Sequence, residues 1–152
     1  MKQKCSACAG HGVARGKETI RVRVPAGIED GGVVKFAGRG EAEPSGAGDL
    51  YITFHLKPDA HFERDGMNIL NTEKISFKQA VLGDKIDVPT LKGTLKLKIP
   101  AGTASETVFR LKCQGAPSLR GYGQGDQLVR VMVEIPKNLT KKQKKILEEW
   151  DG

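Results

Sequence analysis

The chain has 152 residues, 38% of them hydrophobic and 5% aromatic, and carries a net charge of +7. That length allows one ordinary domain or two small ones. Three cysteines are too few for a disulfide framework and fit a reducing, cytoplasmic setting, while no apolar run approaches a membrane span and no signal-peptide pattern is present. The charge raises nucleic acid as a partner, but the basic residues are dispersed. Arg21, Arg23, Lys96 and Lys98 alternate with apolar residues, and the densest cluster, Lys137 to Lys145, has no aromatic platform of the kind single-strand binders use.

The first feature along the chain is CSACAGHG, residues 5 to 12, with the spacing C-x-x-C-x-G-x-G. Cys5 and Cys8 can hold one face of a zinc ion, whereas a closed structural site needs four ligands. Cys113, His11, His55 and His61 make no second pair at ligand spacing, so the chain carries half a metal site.

In TIRVRV, residues 19 to 24, Ile20, Val22 and Val24 alternate with basic residues, which predicts a half-buried strand. The Pro25-Ala26-Gly27 stretch breaks it and turns the chain. VVKFAG (33 to 38) predicts a second strand, GEAEPSGAG (40 to 48) a glycine-rich loop, and GDLYITFHL (48 to 56) a third strand. Between 61 and 93 the pattern predicts a strand over 68–75, a short helical turn over 77–82 and a strand over 85–89.

The plan then repeats. Residues 94 to 115 align with 19 to 40 without a gap, so that Thr19, Pro25, Ala26, Gly27, Val33 and Gly40 recur as Thr94, Pro100, Ala101, Gly102, Val108 and Gly115. The loop GAPSLRGYGQG (115 to 125) matches 40 to 48, and GDQLVRVMVEI matches GDLYITFHL. Asp49 and Asp126 recur at the same Gly-Asp step and read as turn or strand-entry residues. Cys113, at the end of VFRLKC, reads as a small buried hydrophobe inside a strand. The second copy has a front half, within 61–93, that the first lacks; we expect the chain to be a piece of a longer protein.

The last stretch, PKNLTKKQKKILEEWDG, predicts a helix of about eleven residues. Thr140 and Gln143 stand at capping-box spacing. Leu139, Ile146, Leu147 and Trp150 supply its apolar stripe. The stripe packs either on its own domain or on the same helix of a second copy.

The divisions are then 1–18, the half metal site; 19–61, a truncated unit; 62–137, a complete one; and 138–152, the helix. The expected fold is all-β and mainly antiparallel: two tandem small β-sandwich domains, the first truncated, plus a short C-terminal α-helix.

The succession C-x-x-C-x-G-x-G, VPAG, GDLYI, HFERDGMNI, VLGDKIDVPTLKG, KIPAG, QGDQLVRV and a terminal helix closely resembles the carboxy-terminal half of the DnaJ family, the J-domain co-chaperones with a zinc-binding insert. The resemblance runs from Lys4 onward. It implies capture of unfolded polypeptide clients, delivery to a DnaK-type ATPase chaperone, and a homodimer formed through the terminal helix. It implies that Ile20 and Ile52 match apolar pocket positions, while Val22, Leu50 and Phe54 share their strands and either flank the pocket or fill the core. The family binds zinc through four such motifs. Cys5 and Cys8 resemble the fourth, which shares its ion with the first, so no zinc is expected on this single pair unless two chains meet. No His-Pro-Asp motif is present, so ATPase stimulation is not expected of this chain.

Two other functions compete. A basic β-domain binding nucleic acid is the alternative, with affinity that falls steeply with salt. A disulfide-exchange enzyme using Cys5 and Cys8 would need a thiol of lowered pKa at a helix start, and the glycine-rich surroundings predict no helix there. No nucleophile and base stand at motif spacing, so we expect no catalytic residues.

Overall fold

A computed structural model describes residues 17, 19–43 and 46–150. The chain divides into two compact units between Lys57 and Pro58. Each repeat of the sequence falls in its own unit.

In the first unit, β1 (Gly32–Phe36) pairs antiparallel with β4 (Leu50–Phe54), with Phe36 opposite Leu50 and Val34 opposite Ile52. A small hairpin, β2 (Ala42–Glu43) with β3 (Gly46–Ala47), fills the loop between them. The second unit holds β5 (Glu63–Asp65), β6 (Asn68–Ser76), α1 (Phe77–Leu82), β7 (Asp84–Thr90), β8 (Gly93–Ile99), β9 (Thr107–Leu111), β10 (Gln127–Glu134) and α2 (Lys141–Glu148). Its main sheet has the order β5-β6-β10-β9, and β7 and β8 form a separate hairpin. All pairings are antiparallel except β6 with β10, which is parallel. Helix α1 starts at a capping box, Ser76 with Gln79, and stops at Gly83, where a Cβ would press on the Ile99 carbonyl oxygen.

Alternation builds the core of the second unit. Every second residue of β10 points inward, so Val129 and Val131 meet Ile75 of β6, Val88 of β7, and Leu97 and Ile99 of β8. Ala80 of α1 closes one end, and Phe109, Leu111 and Ile86 pack around the rim. Each such aliphatic side chain stabilises the fold by about 1.5–3 kcal/mol on full burial.

Two expectations fail. Residues 19–24 form no strand, and Val24 is 54% exposed. Its counterpart Ile99 is 1% exposed on β8, which exists because β7 pairs along it from Thr90–Gly93 to Asp84–Ile99. Among the described residues the first unit has no counterpart of β7, and a strand without a ladder leaves its backbone groups unpaired. Cys113 is exposed and outside any strand: β9 ends at Leu111, and Cys113 takes φ 56° in the turn that follows.

Helix α2 is also shorter than expected, eight residues, although its capping box of Thr140 and Gln143 is present. No helix of the described residues is long and apolar enough to cross a membrane.

Candidate functional site

The two repeats share one hinge. After β1 the chain turns left-handed at Gly38, and after β9 it does so at Cys113. The carboxylate at the next strand entry then closes the turn. Asp49 accepts from the Gly38 N–H at 3.1 Å, and Asp126 from the Cys113 N–H at 2.9 Å. A cation on the preceding strand completes each latch, Lys35 to Asp49 at 2.6 Å and Arg110 to Asp126 at 3.2 Å. The Lys35 ammonium, then the Gly38 N–H, hold the Asp49 carboxyl below its ordinary range, and Asp49 in turn raises Lys35. Below the latch, Gly40 donates to Gly48 and Gly115 to Gly125, each at 2.8 Å. A Cβ on Gly40 would lie 2.6 Å from the Asp49 carbonyl oxygen, so the close approach requires glycine.

This hinge sets the register of the sheet above it, and the register puts Leu50, Ile52 and Phe54 on one face of β4, opposite Phe36, Val34 and Gly32 of β1. The face is apolar and half-buried. The same positions in the second unit behave differently. Val129 and Val131, counterparts of Ile52 and Phe54, are fully buried in the core to which the β7–β8 hairpin contributes. In the first unit no such hairpin is found among the described residues, and neither β1 nor β4 has a second strand neighbour there. An apolar face beside open strand edges is what an extended peptide needs to dock by adding a strand. The opposite face is ordinary surface, with Lys35 lying 5.8 Å over the Tyr51 ring.

Of the predicted site residues, Leu50, Ile52 and Phe54 are thus brought together. Ile20 and Val22 are half-buried on the stretch before β1, outside its sheet. Cys5 and Cys8 lie outside the described residues, among which no cluster of three or more His, Cys, Asp or Glu could hold a metal. Sequence reasoning missed Val34 and Phe36. The period-two pattern of VVKF holds the signal, but only the β1–β4 register joins them to Ile52.

At the C-terminus, Leu139, Ile146 and Leu147 line an open groove together with Phe77, Ile135 and Pro136. Trp150 meets Phe77 edge-on with ring centroids 5.6 Å apart. No residue of α2 is buried, and Ile146 remains 56% exposed.

The family model described as the DnaJ C terminal domain matches residues 3–136. Chaperone protein DnaJ of Bacillus cytotoxicus is 50% identical over 154 residues, covering the whole of this chain and 42% of the relative. The proteins of the same name from Parageobacillus thermoglucosidasius and Halalkalibacterium halodurans are each 50% identical, covering 99% of this chain and 40% and 41% of their own lengths. The chain therefore spans about two fifths of the length of the curated relatives it matches.

Proposed function

Because this chain belongs to the DnaJ C-terminal domain family, we propose that it captures extended apolar segments of unfolded polypeptides on the β1–β4 face of its first unit. The observation that carries this reading is the contrast between half-buried Ile52 and its fully buried counterpart Val129. Leu50, Ile52 and Phe54 offer alternate side chains to a docked strand, and Ile20 and Val22 flank them in the sequence. In a whole protein of this family such clients pass to a DnaK-type ATPase chaperone. The terminal helix serves as the dimer contact, supported by the exposed stripe of Ile146, Leu147 and Trp150. Cys5 and Cys8 would supply two of the four thiolates of a zinc site.

The nucleic-acid alternative gains no support from the surface. Lys35, Lys74, Lys96, Arg110, Arg130 and Lys145 each stand within 4 Å of a carboxylate, which offsets the charge of these six cations. The test is a titration of the chain with a labelled extended apolar peptide at low and high salt, beside a labelled oligonucleotide. Peptide affinity should be nearly independent of salt and should fall about ten-fold or more in Ile52→Asp, because a charge then faces the docked strand. Tight oligonucleotide binding with a steep salt slope, and no peptide binding, would overturn the reading.

A further inference from the structure

The second unit gathers three turns at one end of its sheet. The Met67 carbonyl, in the β5–β6 turn, accepts from the Ala116 N–H at 2.8 Å, and the Lys92 ammonium, in the β7–β8 turn, donates to Gln124 Oε1 at 2.8 Å. Residues 116 to 125 thus contact both of the other turns, with residues 118 to 123 as their tip. The tip is fixed. Ser118 donates to Gly123 at 3.1 Å, Gly121 donates to Ser118 at 3.1 Å, the Arg120 N–H reaches Ser118 Oγ at 3.2 Å, and Pro117 bridges to Gln124. Gly121 and Gly123 both take positive φ to allow it.

This rigid tip holds Leu119, Arg120 and Tyr122 in solvent, with Tyr122 90% exposed. Met67 and Leu91 of the neighbouring turns are exposed as well. The repeat supplies an internal control. The counterpart loop, 40 to 48, closes the same glycine ladder with no aromatic, no leucine and no arginine. The fold does not require Leu119, Arg120 or Tyr122, and a preorganised loop has already met the entropic cost of ordering on binding. Tyr, Met and Arg are the residue types enriched where proteins bind one another.

We propose that this turn end of the second unit docks a short acidic polypeptide segment that also carries apolar side chains. Charge selects the acid: Lys92 follows Leu91 in one turn and Arg120 follows Leu119 in the loop, both exposed, against the single exposed carboxylate of Asp65 at the end of β5. Size selects a short segment. The exposed side chains offer on the order of a few hundred Å², whereas a stable dimer of folded chains buries about 1,200–2,000 Å² in total. This surface is separate from the β1–β4 face and does not rest on the reading of that face.

The test uses the full chain and three fluorescein-labelled decapeptides followed by anisotropy: alternating Leu and Glu, alternating Leu and Lys, and alternating Ser and Glu. The Leu/Glu peptide should bind at least about ten-fold more tightly than either other peptide. Tyr122→Ser combined with Leu119→Ser should weaken it by about ten-fold, and Arg120→Glu should shift preference toward the Leu/Lys peptide. Because the Leu/Glu peptide can also lie along the β1–β4 face, its binding is measured in the Ile52→Asp background as well, where the affinity that remains should still fall about ten-fold on Tyr122→Ser with Leu119→Ser. The variants sit at an exposed tip, and unchanged urea midpoints would show that the fold is kept. Leu/Glu affinity insensitive to the tip variants, or lost in Ile52→Asp, would overturn the proposal. So would sedimentation showing that the tip variants convert a dimer to monomers, because the surface would then join two copies of the chain.

Discussion

Asp126 accepts a 2.9 Å hydrogen bond from the backbone N–H of Cys113, and Cys113 adopts φ 56° to offer it. Asp49 and Gly38 make the same contact in the first unit at 3.1 Å, with Gly38 at φ 66°. The repeat keeps the geometry and changes the residue. A left-handed backbone costs an ordinary L-residue about 1–2 kcal/mol, and glycine avoids that penalty. Glycine also loses about 0.5–1 kcal/mol more entropy on folding. Cys113→Gly should therefore stabilise the second unit by roughly 0.5 kcal/mol, while Gly38→Ala should destabilise the first by a similar amount, roughly 0.5 kcal/mol. Urea unfolding midpoints measure both. A lower midpoint for Cys113→Gly would mean that the cysteine side chain does something the turn geometry does not reveal.

The Lys35–Asp49 latch makes the first unit sensitive to pH at both extremes. The Asp49 carboxyl is held below its ordinary 3.8, chiefly by Lys35, so its contribution is present in full above that value and disappears as the pH falls through the lower folded-state value. Lys35 is raised above 10.5 by the same bond, so its contribution is present below 10.5 and lost as the pH rises through the higher folded-state value. Both groups are solvent-exposed, and salt should weaken the pair. An NMR titration of the Asp49 side-chain carboxyl should show a midpoint below 3.8 that moves up in Lys35→Met. An unmoved midpoint would assign the depression to the Gly38 N–H instead.

Burial, more than pattern, separates the two repeats. Val24 and Ile99 occupy matching positions after the same alternating run, yet Val24 is 54% exposed and Ile99 1%. Ile99→Ala should destabilise the second unit by about 2–5 kcal/mol through lost burial and a cavity. Val24→Ala should stay within about 0.5 kcal/mol. Unfolding followed by circular dichroism distinguishes them, and equal losses would mean that Val24 is packed after all.

That pair also marks what could be read in advance. Apart from the short β5, for which the pattern predicts no strand, the strands of the second unit fall within a residue or two of their pattern, because alternation, Pro-Ala-Gly and Gly-Asp signals agree there and each strand has a neighbour to pair with. Residues 19 to 24 carry the same alternation and form no strand, since a pattern marks only the capacity to pair. Cys113 misled for a related reason. The run VFRLKC gave no sign that its last two residues leave the ladder, which is decided by Asp126 thirteen residues on. The helix start was legible from Thr140 and Gln143 because a capping box is local. The exposed Tyr122 was not singled out, since nothing in GAPSLRGYGQG says which way the tip points.

The same charge placed on matching strand positions should have opposite consequences. Val129→Asp puts a carboxylate where no water reaches, and should unfold the second unit or raise the pKa of the new group far above the usual range. Ile52→Asp places it on a half-buried face and should leave the second unit's unfolding midpoint untouched. If Ile52→Asp abolishes β-structure throughout the chain, Ile52 is core and the first unit's face is not a binding surface.

Removal of Leu139 to Gly152 tests the terminal helix. Within the chain the helix is held by the Trp150–Phe77 edge contact, and an aromatic pair of this kind contributes about 0.5–1.5 kcal/mol. An eight-residue helix with no buried residue is too short to persist on its own propensity. Its exposed Ile146 and Leu147 therefore need cover, and a second copy offers an identical stripe related by a two-fold axis. The shortened chain should keep the second unit's β-structure and its core of Val129, Val131 and Ile75, and should sediment as a monomer, whereas the full chain should sediment as a dimer. Phe77→Ala should loosen the helix and weaken the dimer without removing the stripe. A dimer that survives the deletion would place the contact elsewhere on the chain and leave α2 as a cap on its own unit.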